Sequence, residues 1–110
     1  MVLDLARWAE VAYESFSAGA LDRMGFGYEA LRAVNPRLVL VSTSLLGQTG
    51  PRARFAGFGN LAAALAGFYA ITGWPDRPPA GPFTAYTDYV SPRFAAAAML
   101  AAAAAKRGDT

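Results

Sequence analysis

Leu38-Val39-Leu40-Val41-Ser42 is a continuous apolar run, opened by Asn35-Pro36-Arg37 and closed by a polar residue. Four apolar side chains in a row, with no polar alternation, are the pattern of a strand covered on both faces, as in parallel sheets. Such a strand needs a partner reached through a crossover, and the residues upstream supply the parts. Val2 to Trp8 has apolar residues at helical spacing, and Ala9 to Tyr13 is a short apolar stretch that reads as a second strand. Ser15 to Gly19 turns the chain. Ala20 to Met24 and Tyr28 to Val34 then read as two short helices parted by Gly25-Phe26-Gly27. The second ends at Asn35-Pro36, because proline restrains the residue before it and cannot continue the hydrogen-bond ladder.

Downstream of the run, Ser42 to Gly59 is a long segment rich in Ser, Thr, Gly and Arg, and loops of that length in compact domains commonly carry function. Asn60 to Thr72 reads as a helix with small residues on one face, closed by Gly73. Trp74 to Pro82 holds four of the seven prolines and reads as an irregular connector. Ser91-Pro92 has the form of a helix start, serine as cap and proline at the first helical position, opening an alanine-rich helix to about Lys106. The order helix, strand, helix, strand, helix, helix predicts α/β layering with parallel pairing.

The length of 110 residues allows one domain or a piece of one. Hydrophobic residues make up 55% and charged residues 16%, so the chain is too apolar for disorder and apolar enough that some of its surface should face more protein. Ten Lys+Arg against eight Asp+Glu leave a net charge of +2 with no basic block, which argues against a nucleic-acid partner. The absence of cysteine removes disulfides, thiolate nucleophiles and cysteine-ligated metals, and fits a reducing cytoplasm. The absence of histidine removes Ser-His-Asp and Cys-His constellations and imidazole metal sites. Covalent catalysis would then fall to a carboxylate, a hydroxyl or the single Lys106. Asp4 and Arg7 near the start argue against a signal peptide, and the longest apolar run, Phe94 to Ala105, is too short and too alanine-rich for a membrane span.

Two segments, Gly25 to Ala30 and Gly57 to Ala62, match the spacing of a dinucleotide fingerprint, but neither follows a credible strand or leads to an acidic residue at a second strand end. Gly47-Gln48-Thr49-Gly50-Pro51 lacks the lysine of a phosphate loop and on spacing alone is a turn. Asp88, just ahead of the expected start of the alanine-rich helix and flanked by Tyr86 and Tyr89, admits two readings from chemistry alone. It is a carboxylate held by the positive end of the helix dipole, or a catalytic one.

Taken together, Glu14-Ser15-Phe16, Gly19 to Leu31, Asn35 to Val39, Gly47 to Pro51, Leu65-Ala66-Gly67, Ile71-Thr72-Gly73 and Asp88 resemble, in order and in register, the family III CoA-transferases, which include formyl-CoA transferase and the CaiB/BaiF-type acyl-CoA transferases and racemases. The resemblance covers nearly the whole chain. It implies an α/β fold, with residues 1–110 a partial Rossmann-like large domain of short parallel strands and packed helices. It implies transfer of CoA between an acyl-CoA and a carboxylic acid, with CoA as substrate and no resident cofactor or metal. Asp88 matches the aspartate that attacks the acyl-CoA carbonyl, passes through a mixed anhydride and becomes an aspartyl-CoA thioester.

The same resemblance places Ser15, Phe16, Arg23, Met24 and Ser44 where the family contacts CoA, and Gly47 and Gln48 in the loop that passes the thioester and acyl group. It implies further segments before and after these residues and an interlocked cytoplasmic homodimer. Serine at 15, Leu45-Leu46 and Ser91-Pro92 depart from the family's usual residues, which bears on acyl specificity. A racemase relative, or a truncated homologue acting as an assembly module, is the alternative reading.

Overall fold

The computed structural model describes residues 1–108. Its elements run α1 (Val2–Trp8), β1 (Val11–Glu14), α2 (Ala20–Arg23), α3 (Tyr28–Val34), β2 (Val39–Ser42), α4 (Gly59–Leu65), α5 (Phe68–Ile71) and α6 (Tyr86–Gly108). β1 and β2 pair in parallel with Val11 opposite Val39 and Glu14 opposite Ser42, and α2 and α3 form the crossover between them. The architecture is therefore α/β, as the apolar run and its flanks predict.

The core sits where α1 and α3 meet the base of β2. Ala6, Leu31 and Leu38 are buried together, with Leu3, Leu21, Val34 and Leu40 packed around them. Asn35 stitches this layer: its amide donates to the carbonyls of Ala6 and Ala9, each at 2.9 Å, and its side-chain oxygen accepts from the Arg37 N–H at 3.0 Å. Its backbone is extended, as a residue before proline must be, and that conformation ends α3.

Four details differ from the sequence expectation. β2 starts at Val39, because the Leu38 N–H is taken by the Asn35 carbonyl, and its residues are half-buried rather than covered on both faces. β1 is shifted from the expected Ala9–Tyr13 to Val11–Glu14. The helix expected over Asn60 to Thr72 is two helices, broken where Gly67 turns left-handed at φ 88°. The last helix begins at Tyr86, ahead of Ser91-Pro92, so Pro92 lies inside it and Asp88 lies in its first turn rather than before it. Proline there removes the hydrogen bond that the Asp88 carbonyl would otherwise accept. Contacts hold the earlier turn in place: the Tyr86 ring lies 5.1 Å from that of Phe68, and Thr87 Oγ1 donates to the Gly59 carbonyl at 2.9 Å.

The prolines of residues 74–82 form a loop closed at its base by Thr72, whose backbone carbonyl and hydroxyl both bond Ala80. At the far end of α6, Lys106 Nζ donates to the Leu38 carbonyl at 2.8 Å and pins the helix to the entrance of β2. No helix among the described residues is long and apolar enough to cross a membrane.

Candidate functional site

In a parallel sheet both strands deliver their carboxyl ends to the same edge, and ligands of open α/β sheets bind beyond that edge. Here the edge is formed by Glu14 and Ser42, followed by Ser15 on one side and Thr43 and Ser44 on the other. The first turns of α6 face it. Between them lies a cleft of about 390 Å³, whose walls are Tyr13, Ser15, Thr43, Ser44 and Leu45 from the strand ends, Ala62 from α4, and Thr87, Asp88, Ser91, Pro92 and Ala95 from α6. Hydroxyl groups dominate its polar lining. The Ser44 hydroxyl is buried and has no hydrogen-bond partner among the described residues.

Asp88 is exposed to the cleft, and its carboxylate rests directly on the backbone of Gly59, the buried first residue of α4. A Cβ added at Gly59 would stand 2.6 Å from Asp88 Cγ and 2.8 Å from Oδ2. No side chain larger than hydrogen fits there while the carboxylate keeps its place. Two features fix the approach of the chain to Asp88. Thr84 takes a positive φ of 57°, uncommon for a β-branched residue, and turns the backbone into α6. The bond from Thr87 to the Gly59 carbonyl then clamps the first turn onto α4. The carboxylate is thus seated without a cationic partner from the described residues and is open to a reacting group.

The residues singled out in the sequence fall into three places. Ser15, Ser44 and Asp88 share the cleft. Phe16 is half-exposed beside it, with its N–H bonded to the Glu14 carboxylate at 2.6 Å. Gln48 lines a second cleft of about 340 Å³ with Gly19, Gly50 and Arg54, and Gly47 turns left-handed at φ 84° just before it. Gly19 opens α2, which carries Arg23, and Met24 caps that helix; both are exposed. Arg23 Nη1 makes one long hydrogen bond, 3.3 Å to the Ala18 carbonyl, and the guanidinium pairs with no carboxylate among the described residues. Gly25 to Ala30 runs from the turn after α2 into the first turn of α3 and follows no strand. Among the described residues no group of three or more His, Cys, Asp or Glu is placed to hold a metal ion.

Glu14 is a residue to which the sequence reading assigns no role. It is the one buried charged residue described, 8% exposed, and both oxygens of its carboxylate are engaged. Tyr13, Thr43, Thr87 and Ser91 also enter the site only through the fold. An acidic residue closing an otherwise β-favouring stretch was the available signal for Glu14.

A hydroxyl-lined cleft at the carboxyl edge of a parallel sheet, with an exposed aspartate from the facing helix, defines an α/β protein segment with its polar groups gathered where such sheets bind ligands. The model of CoA-transferase family III matches residues 1–110, and the chain belongs to that family. It is 44% identical over 77 residues to the acetyl-CoA:oxalate CoA-transferase of Acetobacter aceti, covering 70% of this chain and 20% of the relative. It is 40% identical over 102 residues to the succinyl-CoA–D-citramalate CoA-transferase of Chloroflexus aurantiacus, covering 93% of this chain and 25% of the relative. A crystal structure of a CaiB/BaiF family protein from Brucella suis superposes with a TM-score of 0.92 at 33% identity, over 98% of this chain and 29% of that one. The chain thus spans between a fifth and a third of these proteins.

Proposed function

We propose that these residues carry the nucleophile and part of the coenzyme A site of an enzyme that moves CoA between an acyl-CoA and a carboxylic acid. The observation that carries this reading is the exposed Asp88 carboxylate, seated on Gly59 in the cleft at the carboxyl ends of both strands. The names of the relatives, with oxalate and citramalate as acceptors, support carboxylic acids as the substrate class.

The chemistry needs only a carboxylate and a place to hold a thioester. An Asp88 oxygen adds to the acyl carbonyl, the carbon–sulfur bond of the adduct breaks, and CoA departs as thiolate, leaving an acyl–aspartyl mixed anhydride. The thiolate then adds to the aspartyl carbonyl, which releases the donor acid as carboxylate and leaves an aspartyl-CoA thioester. The acceptor carboxylate adds to that thioester, regenerating an anhydride and free thiolate. Attack of the thiolate on the acceptor's carbonyl yields the new acyl-CoA and the original carboxylate. Each step exchanges one leaving group for one nucleophile, so no net proton, electron or metal is consumed. Ser44 and Ser91 offer O–H groups on the cleft wall near Asp88, where donors aimed at developing negative charge contribute most. Incubation of the full-length protein with a panel of acyl-CoAs, followed by peptide mass spectrometry, should find CoA on Asp88; CoA on Glu14 or Asp76 instead, or on no residue, overturns the assignment.

Arg23, on α2 with its guanidinium largely unengaged, is read as a phosphate contact for CoA, with Phe16 and Met24 as apolar surface for adenine. Charge-assisted hydrogen bonds contribute about 1.5–3 kcal/mol. Arg23→Ala is therefore expected to weaken CoA binding about ten- to a hundredfold, with the difference shrinking as salt rises. An unchanged dissociation constant by calorimetry would leave Arg23 a surface charge.

The reading also takes the open apolar surface as contact surface for the rest of a Rossmann-like subunit in a homodimer. Trp8, Phe58, Phe83 and Leu100 are each more than 70% exposed, and the radius of gyration is 17.5 Å, against about 13 Å for a compact chain of 100 residues. Residues 1–110 expressed alone should melt broadly, bind a hydrophobic dye and show no transfer activity. A sharp monomeric melt would show instead that they form a self-sufficient domain.

A further inference from the structure

The loop after β1 and the start of α2, which carry the residues read as CoA contacts, are joined to the loop after β2 through one buried carboxylate and Gln48. Glu14 Oε2 accepts the Phe16 N–H at 2.6 Å, in the loop after β1. Its Oε1 accepts from Gln48 Nε2 at 3.3 Å, in the loop after β2. Gln48 Oε1 in turn accepts the Gly19 N–H at 3.2 Å, at the start of α2. The backbone of Glu14 adds a fourth tie, since its carbonyl accepts the Thr43 N–H at 3.0 Å. Glu14 and Gln48 are 34 residues apart, and the side-chain amide of Gln48 is used at both its oxygen and its nitrogen inside the protein.

We infer that Glu14 is a positioning residue, which through Gln48 holds the loop after β1, the loop after β2 and the start of α2 in the single register that binds coenzyme A. This rests on the CoA-transferase reading above. The chemistry of the donors explains why a carboxylate is needed. Both partners of Glu14 are N–H groups, and an ionised carboxylate only accepts, so both of its oxygens are satisfied at once. Burial of a carboxylate is unfavourable unless it is hydrogen-bonded in this way. Glutamine at position 14 could accept from Phe16, but its amide NH2 would then face the NH2 of Gln48. Turning Gln48 over to relieve that contact would set its NH2 against the Gly19 N–H. The chain of bonds has a direction, and one substitution breaks it.

The direction also provides the test. In the double variant Glu14→Gln, Gln48→Glu, the new glutamine accepts from Phe16 and donates to the new glutamate, whose other oxygen accepts from Gly19. Every donor again has an acceptor. With the full-length enzyme, Glu14→Gln should raise the acyl-CoA KM and the CoA dissociation constant about tenfold, and Gln48→Glu, which sets two carboxylates together, at least as much. In Glu14→Gln the kcat should stay within about threefold, because Asp88 stands on α6 and outside the network. The double variant should return to within about threefold of the parent. Unchanged CoA binding in Glu14→Gln, or a double variant that binds no more tightly than the weaker single, overturns the positioning role. If the single variants fail to fold, the double variant decides alone: it must fold and bind. A parent enzyme that binds no acyl-CoA at all would instead remove the CoA-transferase reading, and this inference with it.

Discussion

Asp88→Asn in the full-length enzyme should reduce CoA transfer by at least about a thousandfold while leaving acyl-CoA binding nearly intact. Loss of a covalent nucleophile removes the pathway itself, and variants of this kind retain only what binding and electrostatics supply. Asparagine matches the carboxylate in size, so it should still rest against Gly59, and the Thr87 bond to the Gly59 carbonyl should persist. Stability is therefore expected to change little. The discriminating readout is hydroxylamine: the parent enzyme treated with acyl-CoA should yield a hydroxamate at position 88, and the variant none. Full turnover by Asp88→Asn would place the nucleophile elsewhere.

Gly59→Ala should lower kcat about a hundredfold without touching any group that reacts. The methyl would occupy the space of the Asp88 carboxylate, 2.6 Å from Cγ, so either the side chain rotates away or α4 and α6 separate. Displacement of a reacting group by about 1 Å costs on the order of a hundredfold in rate. Two effects on stability oppose one another. Alanine favours a helix over glycine by about 1 kcal/mol, whereas parting the first turn of α6 from α4 strains the Thr87 bond. The expected pattern is a hundredfold lower kcat, an acyl-CoA KM within a few fold, and a melting temperature shifted by only a few degrees. Wild-type kcat in this variant would show that the carboxylate does not rest on Gly59 during turnover.

Much of the fold was legible because its boundaries are local. Asn35-Pro36 ends α3 by steric exclusion, and the Leu38 to Ser42 run shows no alternation because it joins a parallel pair. The start of α6 departs from its local pattern for the opposite reason. Ser91-Pro92 has the local form of a cap, but the turn and a half upstream is held by Phe68 and Gly59, some 18 and 28 residues away. No local pattern reports such contacts. The break at Gly67 sits in a stretch of alanine and leucine whose helical preference hides it until the positive φ is seen. At the site, Asp88 was visible as an acidic residue between aromatics near a helix start. Its cleft neighbours Tyr13, Thr43 and Ala62 come from β1, from the loop after β2 and from α4, all distant in sequence. The Glu14 to Gln48 link spans a full crossover, so periodicity and motif spacing carry no trace of it.

The two anchors of α6 make it a measured strut. Thr87 fixes one end to α4, and Lys106 fixes the other to the Leu38 carbonyl. The span between them is 19 residues, roughly 29 Å at 1.5 Å per residue. Evolution can therefore exchange one small side chain for another along the alanine run at little cost, while the count of residues is held fixed. A single insertion between Ala95 and Ala105 would turn Asp88 by about 100° and advance it about 1.5 Å relative to Lys106, swinging the carboxylate off Gly59. Length polymorphism should accordingly collect in the proline loop of residues 74–82, and stop at Tyr86.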